Sequence, residues 1–416
     1  MLYSGQDLIP SRYNDEGRGI PYITGASNLE NKRVIINRWT ETPTTHATKG
    51  DLLLTCKGSG VGKMAWCDID DAHIARQIMA LRCIEGLLPD YLELVMSAMI
   101  TSIKEKANGL IPGLSRDVIL DILSPIPPAS EQERIVQSVA SLILLIDQAD
   151  QSKAELLETI RCAKSRILDL AIRGQLIPQD PDDEPASVLL ERIQAEKEEL
   201  IRQGKIKRDK KESIIFRGED NSYYLSMNGK TILVDDSSIF DLPDSWKWTA
   251  LPTIASIDLG KTLDRAKNTG KLYPYLRSVN VQWGSVDLTD VKEMRFEDSE
   301  IEKYTVTKHD LLICEGGDVG RCCVWTDEKD FLYQNALHRV RMYADLNPHF
   351  YQYVLMAYEA QGVLKRISTG VTIKHLTGNT LSQMPVPLPP IAEQQRIVER
   401  INSLFLCLDS MINCLN

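Results

Sequence analysis

Pro125-Ile-Pro-Pro-Ala-Ser-Glu-Gln-Glu-Arg-Ile-Val136 recurs as Pro387-Leu-Pro-Pro-Ile-Ala-Glu-Gln-Gln-Arg-Ile-Val398, identical at eight of twelve positions at an offset of 262. The match continues upstream in the same order. Thr48-Lys-Gly-Asp-Leu-Leu-Leu54 pairs with Thr307-Lys-His-Asp-Leu-Leu-Ile313, and Val61-Gly-Lys63 with Val319-Gly-Arg321. Leu81-Arg82 pairs with Val340-Arg341, Pro89 with Pro348, and Pro21-Tyr-Ile23 with Pro274-Tyr-Leu276. The offsets drift from 253 to 262, as loop insertions would cause. An ordered, drifting match of this length means one domain of about 130–150 residues present twice. The copies differ at their starts. Leu242-Pro-Asp-Ser-Trp-Lys-Trp-Thr-Ala-Leu251 opens the second, and nothing before Pro21 matches it.

Short apolar, β-branched runs (Asp51–Cys56, Asp310–Cys314, Val319–Trp325, Leu337–Tyr343) read as strands. They are followed by helices that begin at Pro89 and Pro348, proline being suited to a first helical turn. Each copy is thus a small mixed α/β domain closed by a proline-rich stop. A long helix follows each stop, with Ser130 and Glu133 spaced as a capping box. Alternate steps of four and three from Ile135 meet Val139, Leu142, Ile146, Leu156, Ile160 and Ile167. The same register from Ile397 meets Ile401, Leu404 and Leu408. That heptad seam predicts antiparallel pairing of the two helices as a coiled coil. The domains expected are a first copy over 1–130, shortened at its start, and a long helix over 131–178. A connector with a charged helix follows over 179–241, then a second copy over 242–392 and a closing helix over 393–416.

The chain carries a net charge of −10, but unevenly. Residues 131–241 hold 16 basic and 22 acidic side chains; residues 1–130 hold 13 and 15, and residues 242–392 hold 17 and 18. The two repeats are near neutral, so charge neither demands nor excludes a phosphate-bearing partner. No apolar run reaches membrane-spanning length, and no signal peptide opens the chain. Nine cysteines without a CxxC pair read as free thiols of a reducing cytoplasm.

Two motifs imitate catalysis. Lys57-Gly-Ser-Gly-Val-Gly-Lys-Met64 departs from a P-loop at Lys57, where glycine is needed, and at Met64, where Ser or Thr is needed. Asn347-Pro-His-Phe350 is similar to an amino-methyltransferase motif, but the other copy has Leu88-Pro-Asp-Tyr91 there. Asn347 reads instead as a helix N-cap. The six histidines show no ligand spacing, so no metal is expected.

The Pro-x-Pro-Pro-x-x-Glu-Gln-x-Arg-Ile-Val motif with its heptad helix resembles the conserved regions of type I restriction-modification specificity subunits. So do Gly174–Ser187, after the first long helix, and Leu242-Pro-Asp-Ser-Trp246. The resemblance implies a non-catalytic subunit whose two target-recognition domains each read half of a bipartite site on double-stranded DNA. The helices would act as a ruler and dock two methyltransferase subunits that modify adenine; motor-nuclease subunits would complete the complex. S-adenosylmethionine, ATP and Mg would belong to those partners, with no cofactor in this chain. The alternative is a DNA-binding or scaffold protein of another defence system built from the same modules.

Specificity requires polar side chains that reach base edges, with cations on phosphates. Positions where the copies differ give Thr24, Ser27, Asn28, Lys57, Lys63, Arg76 and Gln77 in the first. In the second they give Arg277, Asn280, Gln282, Trp283, Arg321, Gln334, Asn335, His338 and Arg339, with Thr372, Lys374 and His375 in a later loop. Lys63 and Arg321 are candidate phosphate contacts. For each of these a surface or turn role competes.

Overall fold

The computed structural model describes the chain apart from residues 59, 106–112, 205, 207–212, 228, 235–238, 265–267, 369–374 and 416, with backbone alone for 101–105. Thr372, Lys374 and most of the basic run 204–211 lie outside the described residues. The chain divides into two compact units, Met1–Ser152 and Lys153–Asn416.

Unit 1 runs through β1 (Leu2–Ser4), β2 (Ile20–Ile23), β3 (Leu29–Glu30), β4 (Arg33–Val34), β5 (Trp39–Thr40), β6 (His46–Thr48), β7 (Leu52–Thr55), β8 (Met64–Trp66), β9 (Asp71–Ile74) and β10 (Ile78–Leu81). Helices α1 (Pro89–Glu105) and α2 (Arg116–Leu120) follow, and then α3 (Ala129–Ile172), which continues into unit 2. One sheet has the order β1-β10-β7-β8; the other, β5-β2-β9-β6, contains the parallel pair β2–β9. The central strand β7 explains the layering. Successive side chains of a strand point to opposite faces. Leu53 packs between the sheets with Ile23, Ile74 and Ile78, while Leu52 and Leu54 pack beneath Met96 of α1. A strand covered on both faces is apolar throughout rather than alternating, and each fully buried leucine contributes about 2 kcal/mol.

Unit 2 contains α4 (Ala186–Arg202), a meander of β11 (Ser213–Arg217), β12 (Tyr223–Met227) and β13 (Lys230–Leu233), then β14 (Lys247–Ala250), α5 (Leu251–Ile254) and β15 (Ala255–Leu259). Next come β16 (Lys271–Leu276), β17 (Val281–Gln282), β18 (Ser285–Val286), β19 (Lys292–Phe296), β20 (Thr305–Val306), β21 (Leu311–Cys314), β22 (Cys322–Val324), β23 (Phe331–Tyr333) and β24 (Leu337–Met342). It ends with α6 (Pro348–Ala360), α7 (Val363–Ile367), α8 (Gly378–Gln383), β25 (Pro385–Leu388) and α9 (Ile391–Cys414). Its sheets β15-β24-β21-β22 and β19-β16-β23-β20 repeat those of unit 1 strand for strand, and β17–β18 repeats β3–β4. In β21, Leu312 and Cys314 face the second sheet while Leu311 and Ile313 face the helices. One pair, β14–β25, has no counterpart among the described residues of unit 1.

The connector is part of the unit 2 core: Ala186, Leu189 and Ile193 of α4 are buried with Trp246 and Phe350. Within this unit the C-terminal part of α3 runs antiparallel to α9. Lys153 Nζ donates to the Leu415 carbonyl at 2.9 Å and Lys164 Nζ lies 2.5 Å from Asp409 Oδ1. Ile160, Ile397 and Ile401 are buried as the seam requires. Elsewhere the seam needs correction. Leu142 and Ile146, before the α9 overlap that begins at Lys153, are exposed at 59% and 60%; Leu156, inside it, is still 38% exposed, and Ile135 and Val139 are half-buried. Near its end α3 buries Leu168, Ala171 and Ile172, with Ile167 half-buried beside them, since a straight helix drifts off a heptad. It also begins at Ala129, so Ser130 lies inside the first turn rather than capping it.

Candidate nucleic-acid interface

Four segments meet at the same end of each unit. In unit 2, Asn335 N donates to the Lys261 carbonyl, Glu315 N to Ala336, and Leu376 N to Glu315, while Gly316 bridges His375. In unit 1, Gly5 N donates to the Ile78 carbonyl, Cys56 N to Gln77, and Leu114 N to Cys56, while Lys57 bridges Gly113. The segment after the first sheet strand can enter this cluster only without a side chain. A Cβ on Gly5 would lie 2.2 Å from the Ala75 carbonyl oxygen, and one on Gly260 would lie 2.3 Å from that of Gln334.

This end gathers several of the residues singled out above. Lys57, Lys63, Arg76 and Gln77 are exposed in unit 1, with Arg76 Nε 3.0 Å from Asp7 Oδ2. In unit 2 it presents Gln334 and Asn335 on the loop before β24, and His375. Asn335 Nδ2 donates to Thr262 Oγ1 at 3.3 Å, and the buried Oε1 of Gln334 has no partner among the described residues. Arg321, in the turn equivalent to that of Lys63, is largely buried; it pairs with Asp318 at 2.7 Å and donates to the Ser278 carbonyl. Gln6, Asp7, Lys261 and Thr262 also sit here, although no motif marks them. The alignment of Gly5 with Gly260 would have found them.

Other candidates are internal. Asn28 is fully buried: its Oδ1 accepts from Thr24 N at 2.9 Å and Gly25 N at 3.2 Å, and its Nδ2 donates to the Ile35 carbonyl at 2.8 Å. Asn280 repeats this, accepting from Arg277 N at 2.9 Å and donating to the carbonyls of Asp287 and Asp290. Both pin the turn after β2 or β16, so neither is presented to a base. Thr24 donates its hydroxyl to the same Asn28 oxygen, leaving Ser27 exposed at the turn. Arg277 is held by Asp290 and Gln282 by the Val279 carbonyl; Trp283 packs on the core. Arg339 is buried between Asp258 and the Thr305 carbonyl. His338 is buried with Nε2 3.1 Å from the Leu376 carbonyl, and burial lowers its pKa, favouring the neutral ring. Sequence alone could not separate these from readers, because a polar residue that ties a loop and one that projects from it look alike.

The repeated Thr-Lys-x-Asp and distant arginine are also a clip. Arg82 grips Asp51 at 2.7 and 2.8 Å, and Arg341 grips Asp310 at 2.7 Å twice. Burial pushes the Asp51 carboxyl up, but the bonds from Arg82 and Thr48 outweigh it and hold the pKa below the ordinary range. Asn347 caps α6 by accepting from His349 N at 3.0 Å, the structural role expected of it. Among the described residues no group of His, Cys, Asp and Glu gathers to hold a metal, and no helix is long and apolar enough to cross a membrane.

Two tandem sheet-and-helix units with repeated loop ends recur in known proteins. Residues 243–413 match the family model described as the type I restriction modification DNA specificity domain. The chain is 28% identical over 269 residues to the EcoAI specificity subunit of Escherichia coli, covering 61% of this chain and 40% of that protein. It is 24% identical over 435 residues to the EcoEI specificity subunit of the same organism, covering 89% and 67%. Two structures share the fold at 16% identity. The HsdS subunit from Thermoanaerobacter tengcongensis has a TM-score of 0.56, covering 98% of this chain and 89% of that one. A chain from work on complex assembly and conformational transition of the type I R-M system reaches 0.61, covering 98% and 90%. Residues 243–413 thus carry the match to a type I specificity domain, the chain as a whole is similar to type I specificity subunits, and it spans less than half the length of the EcoAI subunit.

Proposed function

We propose that this chain reads a bipartite site on double-stranded DNA without catalysing a reaction, each unit addressing one half-site through its four-loop end. The observation that supports this reading is the recurrence of that end in both units, with exposed polar and cationic side chains that differ between them. A shared scaffold with divergent tips is what two different half-sites require. On this reading Lys57 and Lys63 contact phosphate, and Gln77, Asn335 and His375 contact base edges, with half-buried Gln334 beside them. Methylation, translocation and cleavage, with their S-adenosylmethionine, ATP and Mg, then belong to two methyltransferase subunits and the motor-nuclease subunits of a cytoplasmic complex.

Sequencing of methylated bases in the host genome, with and without this gene, tests the proposal. Loss of one bipartite methyladenine motif is the expected result; an unchanged methylome refutes it. Copurification with a methyltransferase at two copies per chain is the corresponding biochemical expectation.

A further inference from the structure

One contact at the four-loop end is kept in both units while its chemistry changes. In unit 1, Gly5 N donates to the Ile78 carbonyl and Gln6 N to that of Ile74; in unit 2, Gly260 N donates to Leu337 and Lys261 N to Tyr333. Ala75 N and Gln334 N likewise bond the last residues of β2 and β16, Ile23 and Leu276. These matching bonds make Asp7 the equivalent of Thr262, and Arg76 the equivalent of Asn335.

In unit 1, Asp7 holds Arg76 twice. Its Oδ1 accepts from the Arg76 backbone N–H at 3.0 Å, and its Oδ2 lies 3.0 Å from Arg76 Nε. In unit 2, the Thr262 hydroxyl accepts from Asn335 Nδ2 at 3.3 Å, and Asn335 N donates to the Lys261 carbonyl at 2.8 Å. Each contact fixes one edge of a side chain and leaves the other open. Arg76, 66% exposed, keeps the two terminal amino groups of its fork. Asn335 keeps Oδ1 and the second N–H of Nδ2. None of these atoms is hydrogen-bonded among the described residues.

Stability does not account for the contact. An exposed ion pair contributes little to folding, and the equivalent contact in unit 2 is not an ion pair. What the two share is a polar side chain held in place with a hydrogen-bonding edge free. A guanidinium fork matches O6 and N7 of guanine, and a carboxamide edge matches N6 and N7 of adenine. Resting on the reading that each unit addresses one half-site, we propose that Arg76 reads a guanine in one half and Asn335 an adenine in the other. Asp7 and Thr262 are the positioning residues that set those edges toward the major groove. Holding each side chain beforehand lowers the cost of ordering it on the base.

Sequencing of methylated bases in a host expressing the whole system with single variants of this chain tests the assignment. Arg76→Ala should relax one G·C letter in one half of the motif, so that sites with another base there gain about tenfold in methylation relative to cognate sites. Asn335→Ala should do the same to one A·T letter in the other half. Asp7→Ala should relax the same letter as Arg76→Ala, whereas Asp7→Asn, which keeps an acceptor oxygen, should preserve it. An unchanged motif, relaxation of the other type of base pair, or both relaxed letters in one half overturns the proposal. Loss of methylation with no letter relaxed also overturns it, by making the contacts structural. Deletion of the gene with no change in the methylome refutes the half-site reading itself.

Discussion

Trp246 Nε1 donates to Glu393 Oε2 at 2.8 Å, closing the start of the second repeat onto the first turn of α9. The carboxylate is 1% exposed and accepts a second bond from Gln179 Nε2 at 2.5 Å. Burial dominates, and the Glu393 pKa is raised above its ordinary value of 4.5. The folded state therefore holds this proton more tightly than the unfolded chain. Its contribution to stability is fullest where both states are protonated and declines as pH rises from 4.5 through the raised value. Calorimetric scans of the wild type and Glu393→Gln should show the wild-type melting temperature gaining on the variant as pH falls from about 7 to about 4.5. A constant difference would mean that Glu393 does not titrate in this way.

Asn280 is a scaffold residue by geometry. Asn280→Ala strands Arg277 N–H and two carbonyls, and should cost about 2–3 kcal/mol in urea unfolding. DNA affinity per folded molecule should be unchanged. Full stability with abolished DNA binding would make Asn280 a reader instead.

The exposed cations of unit 1 make the opposite prediction. Lys57→Ala and Lys63→Ala should leave stability within about 0.5 kcal/mol, since both side chains lie at the surface. Removing one cation from a phosphate should lower the slope of log affinity against log salt by about 0.9. An unchanged slope for both would place the phosphates elsewhere.

The two halves of α3 should respond differently to charge. Ile401→Asp, at a fully buried position on α9, should cost several kcal/mol, on the order of 3–5. Leu142→Asp, at a 59% exposed position, should cost under about 0.5 kcal/mol in the isolated chain. Thermal unfolding of both variants distinguishes a continuous seam from one confined to the α9 overlap.

The ruler role depends on the same helix. Inserting four residues after Asp150, about one turn and short of the α9 overlap, should lengthen the spacer of the methylated site. An unaltered spacer in the methylome would show that α3 does not set it.

Sequence alone determined the duplication, the type of most repeated elements and the failure of the two false catalytic motifs. Those features are local: a strand buried on both faces reads Leu52-Leu-Leu54 or Leu311-Leu-Ile313, and a P-loop fails wherever Lys57 stands for glycine. It also registered the unmatched opening of the first copy. Only the tertiary structure separated the polar residues. Asn28, Asn280, His338 and Arg339 turn inward to satisfy backbone and carboxylate partners, while Lys57, Lys63 and Gln77 project. The reason is physical. A buried polar group must find its hydrogen bonds, and those partners lie many residues away, as Arg339 finds Asp258 and Glu393 finds Trp246. The heptad of α3 likewise declares that a partner helix is wanted. How far α9 reaches, and hence that Leu142 and Ile146 stay uncovered, is decided by packing.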